Sequence, residues 1–420
     1  MIKKKVIFSY TYFYLILLLV LFIPLYKKFI PYLAGFIVLN WIFEFDFINK
    51  YKRLVNDRNR LCILSFSVLY IFYLIGMFYS SNIDYALFDL EVKLTLLLFP
   101  LVFSTIDQSI FTPRRIVYVF AVFIAGCFIG TLICFGNAVY NFTQTNSIDY
   151  FYYMNLSIFH HSGYFAMYLN FAVALIIYFL LTNWKKNLNK WKIGALSLLI
   201  IYFLIFIILL SSKAGMLTLI IIFLLTVSYL IIFEKRYYQG ALIFLMVCVL
   251  FIGAFKLFPK SLNRIIIAQE ALENMNQIEH GASEGTTGRL LIWENSLEII
   301  RNNFLFGVGT GDVKDFLLEK YEENKFTYYQ NREYNAHNQY LQTFISLGLF
   351  GFLILLLMLI LPLAYAIKNK QFIYLFFLII FSLNLLVESM FETQAGVVFY
   401  AFFNSFLLFI RKSPDEKLNL

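Results

Sequence analysis

Charge is scarce in this chain: Asp, Glu, Lys and Arg make up 14% of its 420 residues, against 61% hydrophobic. That balance lies outside the range of soluble globular domains and reads as an integral membrane protein. Cysteine is sparse too. Cys62, Cys127, Cys134 and Cys248 all fall inside apolar runs without CxxC spacing, which argues against a disulfide framework and a zinc site and leaves them as small packing residues. No DxD or HExxH sequence and no cluster of carboxylates at ligand spacing occurs, so a metal mechanism has no motif behind it. There is no internal repeat. The opening MIKKKVIFSYTYFYLILLLVLF has the basic and apolar regions of a secretory signal but no small-residue cleavage site after them, and so predicts an uncleaved first helix over about Val6–Ile23.

What the chain does have is apolar runs of roughly the 20 residues that a membrane crossing needs. After the first, they are placed at Phe29–Phe43, Leu61–Tyr79, Leu94–Phe103, Ile116–Gly136, Gly163–Thr182, Ala195–Leu210, Gly215–Phe233, Gly240–Phe258, Phe344–Ile367, Phe372–Val387 and Val397–Ile410, of which Phe29–Phe43 and Leu94–Phe103 are short. The expected fold is an all-α membrane protein of about twelve transmembrane helices. Fifty Phe and thirty Tyr suit lipid-facing surfaces and interfacial belts and identify no ligand. The net charge of +9 follows topology rather than nucleic acid. With the N-terminus inside, most basic residues fall on the cytoplasmic side, among them Lys3–Lys5, Lys50–Arg60, Arg114–Arg115, Lys185–Lys192, Lys235–Arg236, Lys368–Lys370 and Arg411–Lys417. Short outside loops receive only Lys27, Lys28, Lys93 and Lys213. Both termini are therefore expected to be cytoplasmic. The expected organisation is helices one to nine over residues 1–258, an exported helical loop over 259–343, and helices ten to twelve with a short cytoplasmic tail over 344–420.

Within the loop, Leu262–Ile278 reads as an amphipathic helix along the membrane surface, followed by the linker EHGASEGTTG. A second helix follows, with Leu290, Trp293, Leu297, Ile300 and Phe304 as its apolar stripe and Thr287 as its N-cap. A third helix follows Asp312, and GVGTGD (Gly307–Asp312) between them reads as a tight turn, because no strand precedes it as a nucleotide-binding loop requires.

Polar groups held beside a membrane point to binding or catalysis. His337, in NAHNQYLQ, offers an imidazole that can take a proton from a hydroxyl, or else it caps the helix that follows. Arg289 heads the second loop helix and offers a planar fork for phosphate oxygens at a positive helix end; a merely exposed arginine is the alternative. Lys213, in LLSSKAGM, lies between two apolar runs and serves either as a snorkelling anchor or as a diphosphate contact. Lys93 has the same two readings. His160 and His161 start the sixth helix on the outer side, as interfacial packing or as contacts to an acceptor sugar or diphosphate. Glu388 and Glu392, in ESMFETQAG, are candidate structural partners for one of these cations.

Taken together, GRLLIW, NNFLFGVGTG, AHNQYLQTFISLGLFG and the earlier SSKAG resemble the O-antigen ligase and polymerase family of bacterial envelope glycosyltransferases. The motifs occupy Leu210–Gly215 and Thr287–Gly351, and the plan of about twelve helices with one large late exported loop also fits. The resemblance implies a C-type glycosyltransferase-like bundle in the inner membrane, working at its periplasmic face. It implies a donor glycan on undecaprenyl diphosphate, no cofactor, and an acceptor that is lipid A core sugar, a growing glycan or a protein hydroxyl. By motif position the catalytic histidine falls on His337 and the loop arginine on Arg289. A further arginine of the pattern is replaced here by Lys213, which keeps the charge and loses the fork. The reading is of metal-independent inverting transfer, with Arg289 and Lys213 on the diphosphate, His337 as general base, and His160, His161, Lys93 and Glu392 as accessory candidates. An O-antigen ligase comes first; a polymerase or a protein O-oligosaccharyltransferase uses the same parts. A lipid or solute transporter is the alternative of another class, although no paired halves are visible.

Overall fold

The computed structural model describes residues 2–56, 60–183, 189–232, 234–257 and 285–409. The expected amphipathic helix Leu262–Ile278 lies outside them. Every regular element among the described residues is helical, and none is a strand.

A helix occupies each of the twelve apolar runs, but their lengths differ. Pro113–Thr145, Ser162–Thr182, Lys190–Leu209, Lys213–Ile232 and Gln339–Lys368 are long and apolar enough to cross a membrane. A sixth span results if Lys27–Phe43 and Phe47–Val55, which meet at 105°, form one broken crossing. Val6–Phe22, Ser65–Met77, Phe372–Leu385 and Gln394–Phe409 are apolar but shorter. The fourth run forms Thr95–Thr105, whose 11 residues fall well short of the roughly 20 that a crossing needs.

Packing divides the described residues into two units, one drawing on 2–15, 30–110 and 285–409, the other on 16–29 and 111–257. In the second, Pro113–Thr145 starts on the Thr112 cap with Pro113 at its first position and ends at Asn146 in the left-handed region, as these residue types favour. Ser162–Asn183 packs against it and against Lys190–Leu209 and Lys213–Ile232, and is buried along most of its length.

In the first unit, Gln394–Phe409 is buried from Ala395 to Phe409, as expected of a helix that is apolar all round. Its Tyr400 ring lies 4.6 Å from Phe381 and 5.4 Å from Phe391. Gln339–Lys368 packs against Arg60–Met77, Phe372–Leu385 and Thr286–Asn302. The helices of the late loop share a core of Leu291, Ile292, Ile299, Ile300, Val313, Leu317, Tyr321, Tyr329 and Ile345.

Two local expectations are corrected here. Helix Thr286–Asn302 is capped by Gly285 (φ 135°), without a side-chain hydrogen bond, and Thr287 lies inside its first turn. Its buried stripe is also rotated from the expected one. Leu291, Ile292, Asn295, Ser296, Ile299 and Ile300 face the core, whereas Leu297 and Phe304 are exposed. Two polar residues can hold core positions because each satisfies itself: Asn295 Nδ2 donates to the Leu291 carbonyl and Ser296 Oγ to that of Ile292, both at 2.7 Å.

The turn after this helix locks onto Gln339–Lys368 through its backbone. Val308 N donates to the Ile345 carbonyl (2.8 Å), Gly309 N to that of Ser346 (3.0 Å) and Leu349 N to that of Phe304 (2.9 Å). The long helix breaks at Gly348 (φ 63°, ψ −160°), a conformation essentially confined to glycine. A Cβ there would stand 2.3 Å from the Leu305 carbonyl oxygen. GVGTGD is thus a turn built into a helix break.

Candidate active site

Arg289 sits in the first turn of Thr286–Asn302, anchored by the packing of Gly288 on the Tyr329 ring. His337 lies just before Gln339–Lys368, and the cap of that helix is its neighbour: Asn338 Oδ1 accepts from the backbone N–H groups of Tyr340 and Leu341 at 2.9 and 3.2 Å. The imidazole is therefore not the helix cap. Its residue has φ 43°, in the left-handed region that few non-glycine residues adopt, and it is held there from both sides. Trp293 Nε1 donates to the Ala336 carbonyl (3.1 Å), Ala336 N to Gln342 Oε1 (3.1 Å) and His337 N to Asn335 Oδ1 (3.0 Å). The tryptophan of GRLLIW thereby fastens AHNQ.

Glu388 joins the two candidates. Arg289 donates to its Oε1 at 2.5 Å, and His337 Nδ1 lies 3.1 Å from its Oε2. A carboxylate only accepts, so Nδ1 carries the proton, and in the neutral ring the lone pair is on Nε2. The Glu388 side chain is 9% exposed, against 26% for Arg289 and 23% for His337. The orienting group is buried, and the groups that would meet a substrate are open. The loop bearing Glu388 is stitched to the same segment: Asn338 N donates to Ser389 Oγ (3.2 Å) and Phe391 N to Gln339 Oε1 (2.7 Å).

A second buried cluster lies four residues on. Glu392 accepts from Lys93 Nζ at 3.0 Å, and Lys93 also donates to Asp89. The Lys93 side chain is fully buried, its ammonium 4.6 Å from the centre of the Tyr73 ring. Burial disfavours the ammonium, but Asp89 and Glu392 hold it above the ordinary lysine range. Burial pushes the Asp89 carboxyl up against the pull of Lys93. The charge of Lys93 is thus matched inside the protein by two carboxylates, and the cluster pins the loop that carries Glu388. Sequence reading named Glu388 and Glu392 as partners for cations without assigning either one, and passed over Asp89. The available signal was that a carboxylate at a membrane edge requires a nearby cation or a proton.

The remaining candidates lie in the other unit. Lys213 is the first residue of Lys213–Ile232, where Ser212 Oγ accepts from Gly215 N (3.1 Å) and Asn170 Nδ2 donates to the Gly215 carbonyl (2.9 Å). His160 is buried, its ring edge-on to Tyr168 at 5.3 Å. Burial, helped by the charge of Lys27, pulls its pKa down to about 4. His161 Nδ1 accepts from Gly163 N at 3.3 Å, and its ring lies edge-on to Tyr153 at 6.1 Å. The contacts described for this pair are those of packing and of a helix start.

Residues 198–356 match the family model described as O-antigen ligase, a stretch that includes Lys213, Arg289 and His337 but not Lys93, Glu388 or Glu392. An uncharacterized protein of Haemophilus influenzae is 32% identical over 81 residues, 19% of this chain and 20% of that relative. The match thus spans about a fifth of the relative's length. The arginine, histidine and SSKAG motifs all lie inside this matched stretch, which is similar to the O-antigen ligase family.

Proposed function

We propose that this protein is an O-antigen ligase of the bacterial inner membrane, moving a glycan from undecaprenyl diphosphate to a hydroxyl of the lipid A core at the periplasmic face. The similarity of residues 198–356 to the O-antigen ligase family supports glycosyl transfer of the ligase or polymerase type, and the observation that carries the mechanism is the bridge through Glu388. Lipid diphosphate is already a good leaving group, so the protein has to stabilise its growing negative charge and activate the incoming hydroxyl. Arg289 does the first, using guanidinium donors other than the one on Glu388. His337 Nε2 does the second, taking the hydroxyl proton as the oxygen attacks the anomeric carbon and the diphosphate departs from the opposite face with inversion. Glu388 fixes the tautomer and stabilises the imidazolium that forms. Lys213, on its motif alone, is proposed to contact a diphosphate oxygen. Lys93 and Glu392 act through the loop they hold.

The test uses the purified protein in vesicles with a lipid-linked donor. His337→Asn keeps a hydrogen-bonding side chain without the base, and should bind donor nearly normally while single-turnover transfer falls on the order of 10²–10⁴. Weakened donor binding with unchanged transfer from the bound complex would remove the histidine from the base role. In cells, loss of the protein should leave finished polymer on the lipid carrier. Accumulation of single repeats instead would assign a polymerase.

A further inference from the structure

We infer that the turn Phe304–Leu305–Phe306 is a membrane seat, its side chains inserted among the acyl chains of the outer leaflet, so that it sets the height of the late-loop helices above the bilayer. The inference does not depend on the reaction proposed above. Three consecutive large apolar side chains are exposed here, Phe306 to 65%, next to a turn whose backbone is held rigidly. Such a patch on a membrane protein has lipid as its natural occupant if it lies at the right depth, and the depth can be read from Gln339–Lys368.

Beyond its break at Gly348 that helix continues for about 20 residues, or about 30 Å, the thickness of a bilayer core, and ends at Lys368. Gly348 therefore marks one edge of the core. The Leu349 N–H bond to the Phe304 carbonyl puts the turn at that level. The lipid-facing surface is continuous with it on both sides. The Phe306 ring lies 5.9 Å from Phe350, which is exposed together with Leu353, Leu357 and Ile360 along the same helix. On the other side Tyr79 Oη donates to the Phe306 carbonyl at 2.7 Å, beside exposed Phe78, Ile75 and Ile71.

Lipid does not hydrogen-bond backbone groups, so a seated turn needs internal partners for them. The carbonyls of Phe304 and Phe306 have such partners, and Gly307 N donates to the Asn303 carbonyl at 2.9 Å. The polar residues just before the turn, Arg301 and Asn302, are exposed and suit the headgroup layer. The seat also accounts for the exposed Phe304, which the sequence alone placed on the apolar stripe of its helix.

The test places a nitroxide at Leu305→Cys and, separately, at Phe306→Cys, with Cys62 and Cys248 replaced by serine and the buried Cys127 and Cys134 retained. The protein is reconstituted in phosphatidylethanolamine–phosphatidylglycerol vesicles. At both positions collisions with oxygen, which concentrates in lipid, should exceed those with an aqueous nickel chelate; at the exposed Glu333→Cys the order should reverse. Nickel-dominated collisions at 305 and 306, or shielding from both reagents, would overturn the seat. Independently, Phe306→Trp emission should be quenched by lipids brominated near the top of the acyl chain and not by aqueous acrylamide; the opposite pattern would also overturn it.

Discussion

At the scale of single residues, the decisive one is a carboxylate that needs two partners. Glu388 is buried with Arg289 on one oxygen and His337 on the other, so replacing it tests both. Glu388→Gln keeps the shape and removes the charge that stabilises the imidazolium. A charge-assisted hydrogen bond contributes about 1.5–3 kcal/mol, so transfer should fall by roughly 10–100-fold, with donor binding less affected; wild-type single-turnover rates would show that Glu388 is a bystander. His160 makes a different prediction. Its folded pKa is depressed to about 4 from an ordinary value near 6.5, so between these pH values the unfolded chain binds the extra proton. Stability from this group is present above about pH 6.5 and is lost as pH falls toward about 4, an effect of about 3 kcal/mol. Melting temperatures in detergent should drop across that window, and less so in His160→Gln.

At the scale of elements, the arginine helix and the histidine segment are joined by contacts that bypass their sequence separation. Trp293 holds Ala336, and the 304–309 turn holds residues 345–349 of the kinked helix. Gly348 is the hinge of that joint. Gly348→Ala adds a Cβ against the Leu305 carbonyl oxygen and forces a backbone conformation costing about 1–3 kcal/mol in its own right. It should lower the melting temperature and displace the joint, reducing transfer even though Gly348 touches no reacting group. Wild-type melting and activity in this variant would show that the break is incidental.

At the scale of the whole molecule, we propose that both termini are cytoplasmic and that the late-loop helices lie outside. A cysteine at the exposed Glu333 should react with a membrane-impermeant thiol reagent in intact spheroplasts, whereas one at Lys52 should react only after lysis. Labelling in the reverse order would invert the topology and move the site to the wrong side for a periplasmic acceptor.

The sequence by itself determined the membrane class and the helical state of each apolar run, because hydrophobicity, period and charge placement are local properties, and its motifs singled out Arg289 and His337. It placed the turn at GVGTGD for the same reason. It did not determine which runs are long enough to cross, because Thr95–Thr105 stops early and the Lys27–Val55 stretch bends. It also misjudged the buried face of Thr286–Asn302, because Asn295 and Ser296 become core residues once their side chains bond within the helix, while Leu297 and Phe304 stay exposed. Only the tertiary structure decided that Glu392 closes on Lys93 and that Glu388 joins Arg289 to His337. Buried charges choose partners by distance and desolvation, and these partners lie 299 positions apart for Lys93 and Glu392, and 99 and 51 for the two bonds to Glu388, too far along the chain for any local pattern to announce them.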